Sequence, residues 1–326
     1  MHVPLWVWLA TVAGVIALLA LSFFTHIRNS HEPTIKEAGA WTAFFVSLSV
    51  IFGIGLTLVW GKDHGIEYFA GYITEYSLSI DNLFVFVIIM SSFAVPRAFQ
   101  QKVLLIGIII ALILRTIFIL AGAAAIEHYS WVFYVFGLFL ILTGLKLMFS
   151  HQDEDEEYQP NIMVRAMQKV LPTTHEYDGA NLTTRINGKL FMTPMLMVMI
   201  TVGLTDILFA LDSIPAIFGL TKEPYIVFTA NAFALLGLIE LYFLIGGLLK
   251  RLVYLSFGLA LVLSFIGAKL IIEAMHTNSL SFIHGGQPIH LFPEIPTWLS
   301  LVVILSILAL TTIASLIKSA RDAKAD

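Results

Sequence analysis

The feature that most constrains this chain is a series of apolar runs, each long enough to cross a lipid bilayer. A transmembrane helix needs about 20 mainly apolar residues. Runs of that length can be placed nine times, at about 4–24, 40–60, 68–95, 103–126, 129–149, 191–216, 225–248, 253–275 and 297–318. We therefore predict an all-α membrane protein, a polytopic bundle of about nine transmembrane helices that forms a single domain over residues 1–326.

Composition agrees with this fold class. The 326 residues are 58% hydrophobic and 12% charged, whereas soluble domains average about 25% charged residues. The first apolar run has neither a basic leader nor a small-residue cleavage site, so we expect it to be a retained helix. The chain has no cysteine, which excludes disulfides and thiolate sites for soft metals. No phosphate-binding loop or nucleic-acid-binding pattern is apparent, so we expect neither an organic cofactor nor a nucleic-acid partner.

The distribution of Lys and Arg predicts the orientation. The connections on one side carry only Lys62 and Lys222. Those on the other side carry Arg28, Lys36, Arg97, Lys102, Arg165, Lys169, Arg185, Lys189, Lys250, Arg251, Lys318, Arg321 and Lys324. Cytoplasmic connections are enriched in Lys and Arg, so we predict an external N-terminus and a cytoplasmic C-terminus.

The longest polar connection, about 150–190, then lies in the cytoplasm. It contains an acidic run over 153–157. Such a run is commonly a solvated loop, although it would also raise the local concentration of cations.

Four carboxylates lie inside the predicted spans, in two copies of one pattern. Glu75 is followed after five residues by Asp81-Asn82, and Asp206 after five residues by Asp212-Ser213. An ionisable residue at bilayer depth costs roughly 2.5–3.5 kcal/mol on insertion scales, and hard cations are the natural partners of carboxylates. We predict a metal site formed by Glu75, Asp81, Asn82, Asp206, Asp212 and Ser213.

The spacing within each copy constrains the backbone. Six helical positions rise about 9 Å and turn through about 600°, which leaves the two acids some 120° apart. Both acids can then reach one ion only through local unwinding or through two crossing helices. We expect the third and sixth spans to be broken at these motifs, since unwound backbone is tolerated where it lines a polar cavity.

The motifs also suggest an internal repeat, with halves at about 66–149 and 191–275. Each half opens with the acid-x5-Asp pattern and closes with Gly-x-Lys-Leu, at Gly144–Leu147 and Gly267–Leu270. Three helices per half is an odd number, so the halves would have opposite topology. Secondary transporters with inverted repeats bind substrate near the midplane, between the halves.

Three basic residues fall within the spans and are candidate counter-charges: Arg115, Lys146 and Lys269. We expect Arg115 to be a fixed partner of an acid. The three cations together leave two interpretations of the acids. Permanent buried ion pairs would hold the bundle in register. Alternatively, the lysines would pair with the acids and yield to a metal ion during transport.

The two motif segments resemble the signature segments of the TerC/Alx family of integral membrane proteins. Residues 229–238 are also similar, as is His151 with the acidic run that follows it. The resemblance covers roughly 35–318. It implies a bacterial inner-membrane exporter of Mn²⁺, grouped with lysine-exporter-like transporters, in which the four motif acids are the family's acids. One departure is Ile239-Glu240, where the family usually has Arg after Gly-Leu.

Taken together, these features predict a transporter, not an enzyme, that exports Mn²⁺ from the cytoplasm. The residues alone leave Ca²⁺ open, because it accepts the same oxygen ligands. A non-transporting assembly or stress-response partner is a second class. An intramembrane aspartyl hydrolase is a third, although neither Asp81 nor Asp212 lies in the Gly-Asp or Tyr-Asp context of such enzymes. Coupling and oligomeric state are not predicted.

Overall fold

A computed structural model describes residues 1–27, 34–149, 173–174, 177–179, 181–186, 189–245, 252–278, 280 and 283–322. Over this part of the chain, nine helical segments are long and apolar enough to span a membrane, which confirms the predicted number. The acidic run and His151 lie outside the described residues. The helices are α1 (Leu5–Ser22), α2 (Ile35–Trp60), α3 (Lys62–Ser92), α4 (Arg97–His128), α5 (Val132–Phe149), α6 (Pro194–Phe218), α7 (Pro224–Leu236), α8 (Leu238–Ile245), α9 (Leu255–His276) and α10 (Thr297–Asp322).

Short polar or conformationally special residues set the helix ends. The Thr34 side chain caps α2 by accepting a hydrogen bond from the Glu37 amide at 3.3 Å, as expected of a Thr at this position. Gly61 separates α2 from α3 with a φ of 99°, which favours glycine. Helices α6 and α7 each begin with proline, whose missing N–H needs no partner there. An antiparallel hairpin of β1 (Thr183–Ile186) and β2 (Lys189–Met192) leads into α6.

The expected breaks at the acidic motifs are absent, and that prediction was wrong. Helix α3 runs unbroken through Glu75 and Asp81, and α6 through Asp206 and Asp212. Among the described helices, the seventh span is interrupted at Gly237, because α7 ends at Leu236 and α8 begins at Leu238. The acids therefore meet their partners through helix crossing and not through unwound backbone.

The bundle is built from pairs of packed helices around α7. Helix α3 packs against α7, α4 against α6, and α5 against α9. Every residue of α7 after its first proline is buried. Helices α1 and α10 instead expose many large apolar side chains, as expected for helices that face lipid. Helices α3, α4, α6 and α7 thus form the interior that holds the candidate site.

Helices α5 and α9 approach very closely at two glycines. A Cβ atom on Gly137 would lie 2.8 Å from the Gly267 carbonyl oxygen, and one on Gly267 would lie 2.7 Å from the Gly137 carbonyl oxygen. Small residues at such crossings let transmembrane helices pack backbone to backbone. This contact fixes the helix pair that flanks the interior.

Candidate cation site

The centre of the site is the ion pair between Arg115 of α4 and Asp206 of α6. Arg115 Nε donates to Asp206 Oδ2 at 2.9 Å, and Nη2 donates to Oδ1 at 3.0 Å. Arg115 is fully buried and Asp206 is 2% exposed. The planar guanidinium suits this two-point contact with a carboxylate.

The third nitrogen of the same guanidinium connects α3 to this pair. Arg115 Nη1 donates to Glu75 Oε1 and, at 3.2 Å, to Ser213 Oγ. Glu75 and Ser213 are both fully buried. Helix α3 reaches α6 here because Gly71, one turn before Glu75, has no side chain and packs against Ile217. One arginine therefore joins three helices and two of the four motif acids.

Asp212 adds a third carboxylate to this neighbourhood. It is partly exposed, and it interacts electrostatically with both Glu75 and Arg115. With every acid ionised, three carboxylates would face one guanidinium, an excess of two negative charges. Uncompensated charge is costly in a protein interior, so this group favours the arrival of a proton or another cation.

Part of the acidic oxygen shell has no partner of its own. Among the described residues, no group hydrogen-bonds to the buried atoms Glu75 Oε2, Thr74 Oγ1 or Ser79 Oγ. By contrast, Thr205 Oγ1 donates to the Thr201 carbonyl at 2.7 Å. Three buried polar atoms without a hydrogen-bond partner among the described residues therefore lie on α3, at Glu75 and on either side of it.

Asp81 and Asn82 lie apart from the Arg115 group. Ser256 Oγ of α9 donates to Asp81 Oδ1 at 3.0 Å, and both Asp81 and Asn82 are partly exposed. This divergence follows from the regular helix, in which Glu75 and Asp81 are turned about 120° from each other. The structure therefore brings Glu75, Asp206 and Ser213 together on Arg115, places Asp212 nearby, and directs Asp81 towards another helix.

The two lysines predicted as counter-charges occupy other positions. Lys146 is exposed on α5. Lys269 lines a cavity of about 530 Å³ together with Glu67, Glu273 and Lys222, and its electrostatic partners are these three residues. Arg115 is the span cation that meets the motif acids.

Throughout the described part of the chain, no group of three or more His, Cys, Asp or Glu side chains is arranged closely enough to hold a metal ion. The Arg115 guanidinium lies between Glu75 and Asp206, where it takes the position of a cation. In this structure, Glu75 and Asp206 are therefore paired with Arg115.

Sequence reasoning did not identify two buried or site-associated polar residues, Ser256 and Asn231, whereas it did mark Glu240. Ser256 is one serine in an apolar helix, and nothing in the sequence connects it to Asp81. Asn231 is 1% exposed in α7, and a lone carboxamide in an apolar span was the available signal. Glu240 in α8 is fully buried, within the Ile239-Glu240 departure noted in the sequence.

A comparison with models of protein families shows the family to which the chain belongs. The family model described as "Integral membrane protein TerC family" matches residues 60–323, which make up most of the chain and include all four motif acids. The chain belongs to the TerC family. It is therefore a multi-pass integral membrane protein, in agreement with the nine helical segments of the described residues that are long and apolar enough to span a membrane.

Three bacterial proteins illustrate what the chain is similar to. The chain is 48% identical to an uncharacterized membrane protein of Mycobacterium tuberculosis over 95% of this chain and 78% of that protein. It is 42% identical to an uncharacterized membrane protein of Myxococcus xanthus over 96% of this chain and 92% of that one. It is 37% identical to Alx of Escherichia coli K12, which is named as a candidate membrane-bound redox modulator, over 95% and 93% of the two chains. No solved structure matches the chain significantly.

Proposed function

We propose that this protein transports a divalent metal cation, with Mn²⁺ exported from the cytoplasm across a bacterial inner membrane. One observation carries the proposal: Glu75 and Asp206 both pair with a single guanidinium deep in the bundle, and Asp212 interacts electrostatically with Glu75 and Arg115. An interior with surplus carboxylate binds cations. Oxygen ligands of this kind suit Mn²⁺ and Ca²⁺, and the resemblance to the TerC/Alx family favours Mn²⁺.

In this proposal, Arg115 acts as a tethered cation that holds the site between transport cycles. A divalent ion that enters the group competes with the guanidinium for the Glu75 and Asp206 oxygens. When the ion leaves, Arg115 pairs with them again, so the acids are never left without a positive charge. This exchange also permits release, because three acids without a competitor would hold a divalent ion too tightly.

We place the two ends of the path of the transported ion at Asp81 and at the cavity that Lys269 lines. Asp81 is partly exposed and lies nearer than Glu75 to the C-terminal end of α3. The cavity lies at the opposite end of α3 and is lined by Glu67, about two turns before Glu75, and by Phe218, less than two turns after Asp212. Under the predicted orientation, the ion enters past Asp81 and leaves through this cavity.

The inverted repeat remains part of the proposal, and one pair of contacts supports it. If Gly144 is equivalent to Gly267, then Gly137 is equivalent to Ala260, because both pairs are 123 residues apart. If the two halves are exchanged, Gly144 takes the position of Gly267 and Ala260 takes that of Gly137. The close approach of Gly144 to Ala260 therefore corresponds to the close approach of Gly267 to Gly137, and the structure has both. The pairing of α3 with α7 converts in the same way into that of α6 with α4. Such halves allow alternating access around a central site.

The name of the E. coli relative suggests redox modulation as a second candidate function. This chain has no cysteine, so thiol–disulfide exchange has no residue through which to act. The buried acids have no role in such chemistry, whereas cation transport uses them directly. We therefore place transport first.

The proposal is tested by Mn²⁺ content in bacterial cells that lack their own exporter and grow under excess Mn²⁺. Wild-type protein should lower the cellular Mn²⁺ content, and Asp206→Asn at equal membrane abundance should not. Glu127→Gln, at an exposed position near the end of α4, is the matched control and should behave as wild type. Equal Mn²⁺ content in cells with wild-type protein and with Asp206→Asn would reject the proposal.

A further inference from the structure

Asn231 is a buried carboxamide that the described structure leaves without hydrogen bonds. It is 1% exposed, and neither Oδ1 nor Nδ2 has a partner among the described residues. An unsatisfied buried polar group costs about 1–3 kcal/mol, and native proteins contain few of them. A carboxamide retained in an otherwise apolar part of the bundle therefore calls for a ligand or a partner in another state.

The neighbours of Asn231 on α7 establish the direction of its side chain. Successive helical residues turn by 100°, so Asn231 lies about 40° from Val227 and, on the other side, about 60° from Phe228. Val227 packs in a cluster with Ile119 of α4. Phe228 belongs to a cluster against which Leu112 of α4 packs. Asn231 therefore faces α4 between these two contacts.

That stretch of α4 contains Arg115 at its middle, about one turn from either contact. Val227 also clusters with Ala210 and Ile214 of α6, which lie on the helix that carries Asp206. The carboxamide is thus presented to the same part of the interior as the Arg115 group, from α7, which contributes no side chain to the ion pairs.

We propose that Asn231 Oδ1 is a neutral oxygen ligand of the cation site, completing the shell that Glu75 and Asp206 begin. This inference rests on the proposed transport function and assigns a fourth helix to the site. Hard divalent cations accept carboxamide oxygens together with carboxylates. A neutral ligand adds a donor atom without adding charge, so it strengthens selection of the ion without preventing its release. While Arg115 holds the acids, the amide has no ion to bind, consistent with its lack of partners.

The experiment measures Mn²⁺ binding to purified protein by the loss of the electron paramagnetic resonance signal of free Mn²⁺. Asn231→Leu removes the oxygen and keeps the same branched arrangement of side-chain heavy atoms. It should weaken Mn²⁺ binding about tenfold or more, in the range seen when partners of a metal site are removed. Its melting temperature should be unchanged or higher, because an apolar side chain of the same shape replaces an unsatisfied amide.

Gln101 supplies the matched control. It is also 1% exposed with both amide atoms unpartnered among the described residues. It lies 14 residues before Arg115 on α4, a rise of about 21 Å. Gln101→Met should have the same effect on the melting temperature as Asn231→Leu and should leave the Kd for Mn²⁺ unchanged.

The outcomes separate this inference from the function on which it rests. Wild-type protein that binds no Mn²⁺ would overturn both. Wild-type and Asn231→Leu proteins that bind Mn²⁺ equally, while Asp206→Asn binds none, would overturn the role of Asn231 alone. If Asn231→Leu fails to fold, Asn231→Asp replaces it: a charged oxygen ligand should tighten binding about tenfold, and an unchanged Kd would contradict the inference.

Discussion

Arg115 and Asp206 form a two-point ion pair in the protein interior, with Nε 2.9 Å from Oδ2 and Nη2 3.0 Å from Oδ1. Because Arg115 also donates to Glu75 and Ser213, the guanidinium fixes α3, α4 and α6 relative to one another. The pair therefore has a structural role, and its oxygens are those that we assign to a transported cation. The predictions below separate these two roles.

Removing the arginine tests the structural role. Arg115→Met leaves Glu75 and Asp206 buried without a counter-charge, which should lower the free energy of unfolding by about 3–5 kcal/mol. Chemical unfolding in detergent measures this loss. The triple variant Arg115→Met, Glu75→Gln, Asp206→Asn removes the charge imbalance and should recover most of the stability without recovering transport. An Arg115→Met protein as stable as wild type would show that the pair does not hold the bundle together.

Asp81 tests the proposed route of the transported ion. In Asp81→Asn, the amide oxygen can still accept the hydrogen bond from Ser256, so the fold should be retained. The loss of one carboxylate should lower Mn²⁺ efflux about tenfold or more. Efflux from loaded cells measures the rate, and Ser256→Ala controls for the hydrogen bond itself. Efflux from Asp81→Asn equal to that of wild type would remove Asp81 from the proposed route.

The contact between α5 and α9 predicts strong sensitivity at Gly267. In Gly267→Ala, the new methyl group would lie 2.7 Å from the Gly137 carbonyl oxygen, so overpacking should cost about 1–3 kcal/mol. Gly14→Ala is the control, because a Cβ atom there has no neighbour within 4 Å. It should be neutral or stabilising by about 0.5–1 kcal/mol. Melting temperatures of the two purified variants make the comparison, and equal values would contradict the packing.

Because Lys146 is exposed, we expect its replacement to leave Mn²⁺ efflux almost unchanged. Lys146 lies on the outer face of α5 and away from the Arg115 group. Because exposed charges contribute little, Lys146→Met should leave Mn²⁺ efflux within about twofold of the wild-type value. Arg115→Lys, by contrast, keeps the charge but loses the two-point contact and should impair efflux. A large loss of efflux in Lys146→Met would restore the sequence-based hypothesis that this lysine alternates with the metal.

Much of the architecture follows from the sequence because the bilayer imposes it. Apolar runs of fixed length predicted the nine spans, and the cost of buried charge identified the four acids as the chemically informative residues. The spacing within each motif correctly excluded a shared helix face. Of the two remaining routes, unwinding and crossing, the structure has crossing, because the Arg115 side chain supplies the hydrogen bonds that unwound backbone would have supplied.

The prediction that Arg115 is a partner of an acid is confirmed, but the positions of Lys146 and Lys269 were beyond the sequence for a geometric reason. Arg115, Lys146 and Lys269 all fall within apolar spans, and no pattern of residues reveals how each helix is rotated about its axis. Tertiary packing turns Arg115 inwards and Lys146 outwards. The same limitation concealed Ser256 and Asn231, each of which is a single polar residue whose importance depends on the helix that it faces.

The central claim is that a divalent cation and Arg115 compete for the same carboxylates. Anomalous diffraction from crystals grown with Mn²⁺ tests it most directly, because the anomalous scattering of Mn²⁺ distinguishes the ion from water and from protein atoms. The account predicts a peak about 2.1–2.4 Å from oxygens of Glu75 and Asp206, with the Arg115 guanidinium displaced from both. A Mn²⁺ peak elsewhere in the bundle, with the Arg115 ion pairs intact, would contradict it.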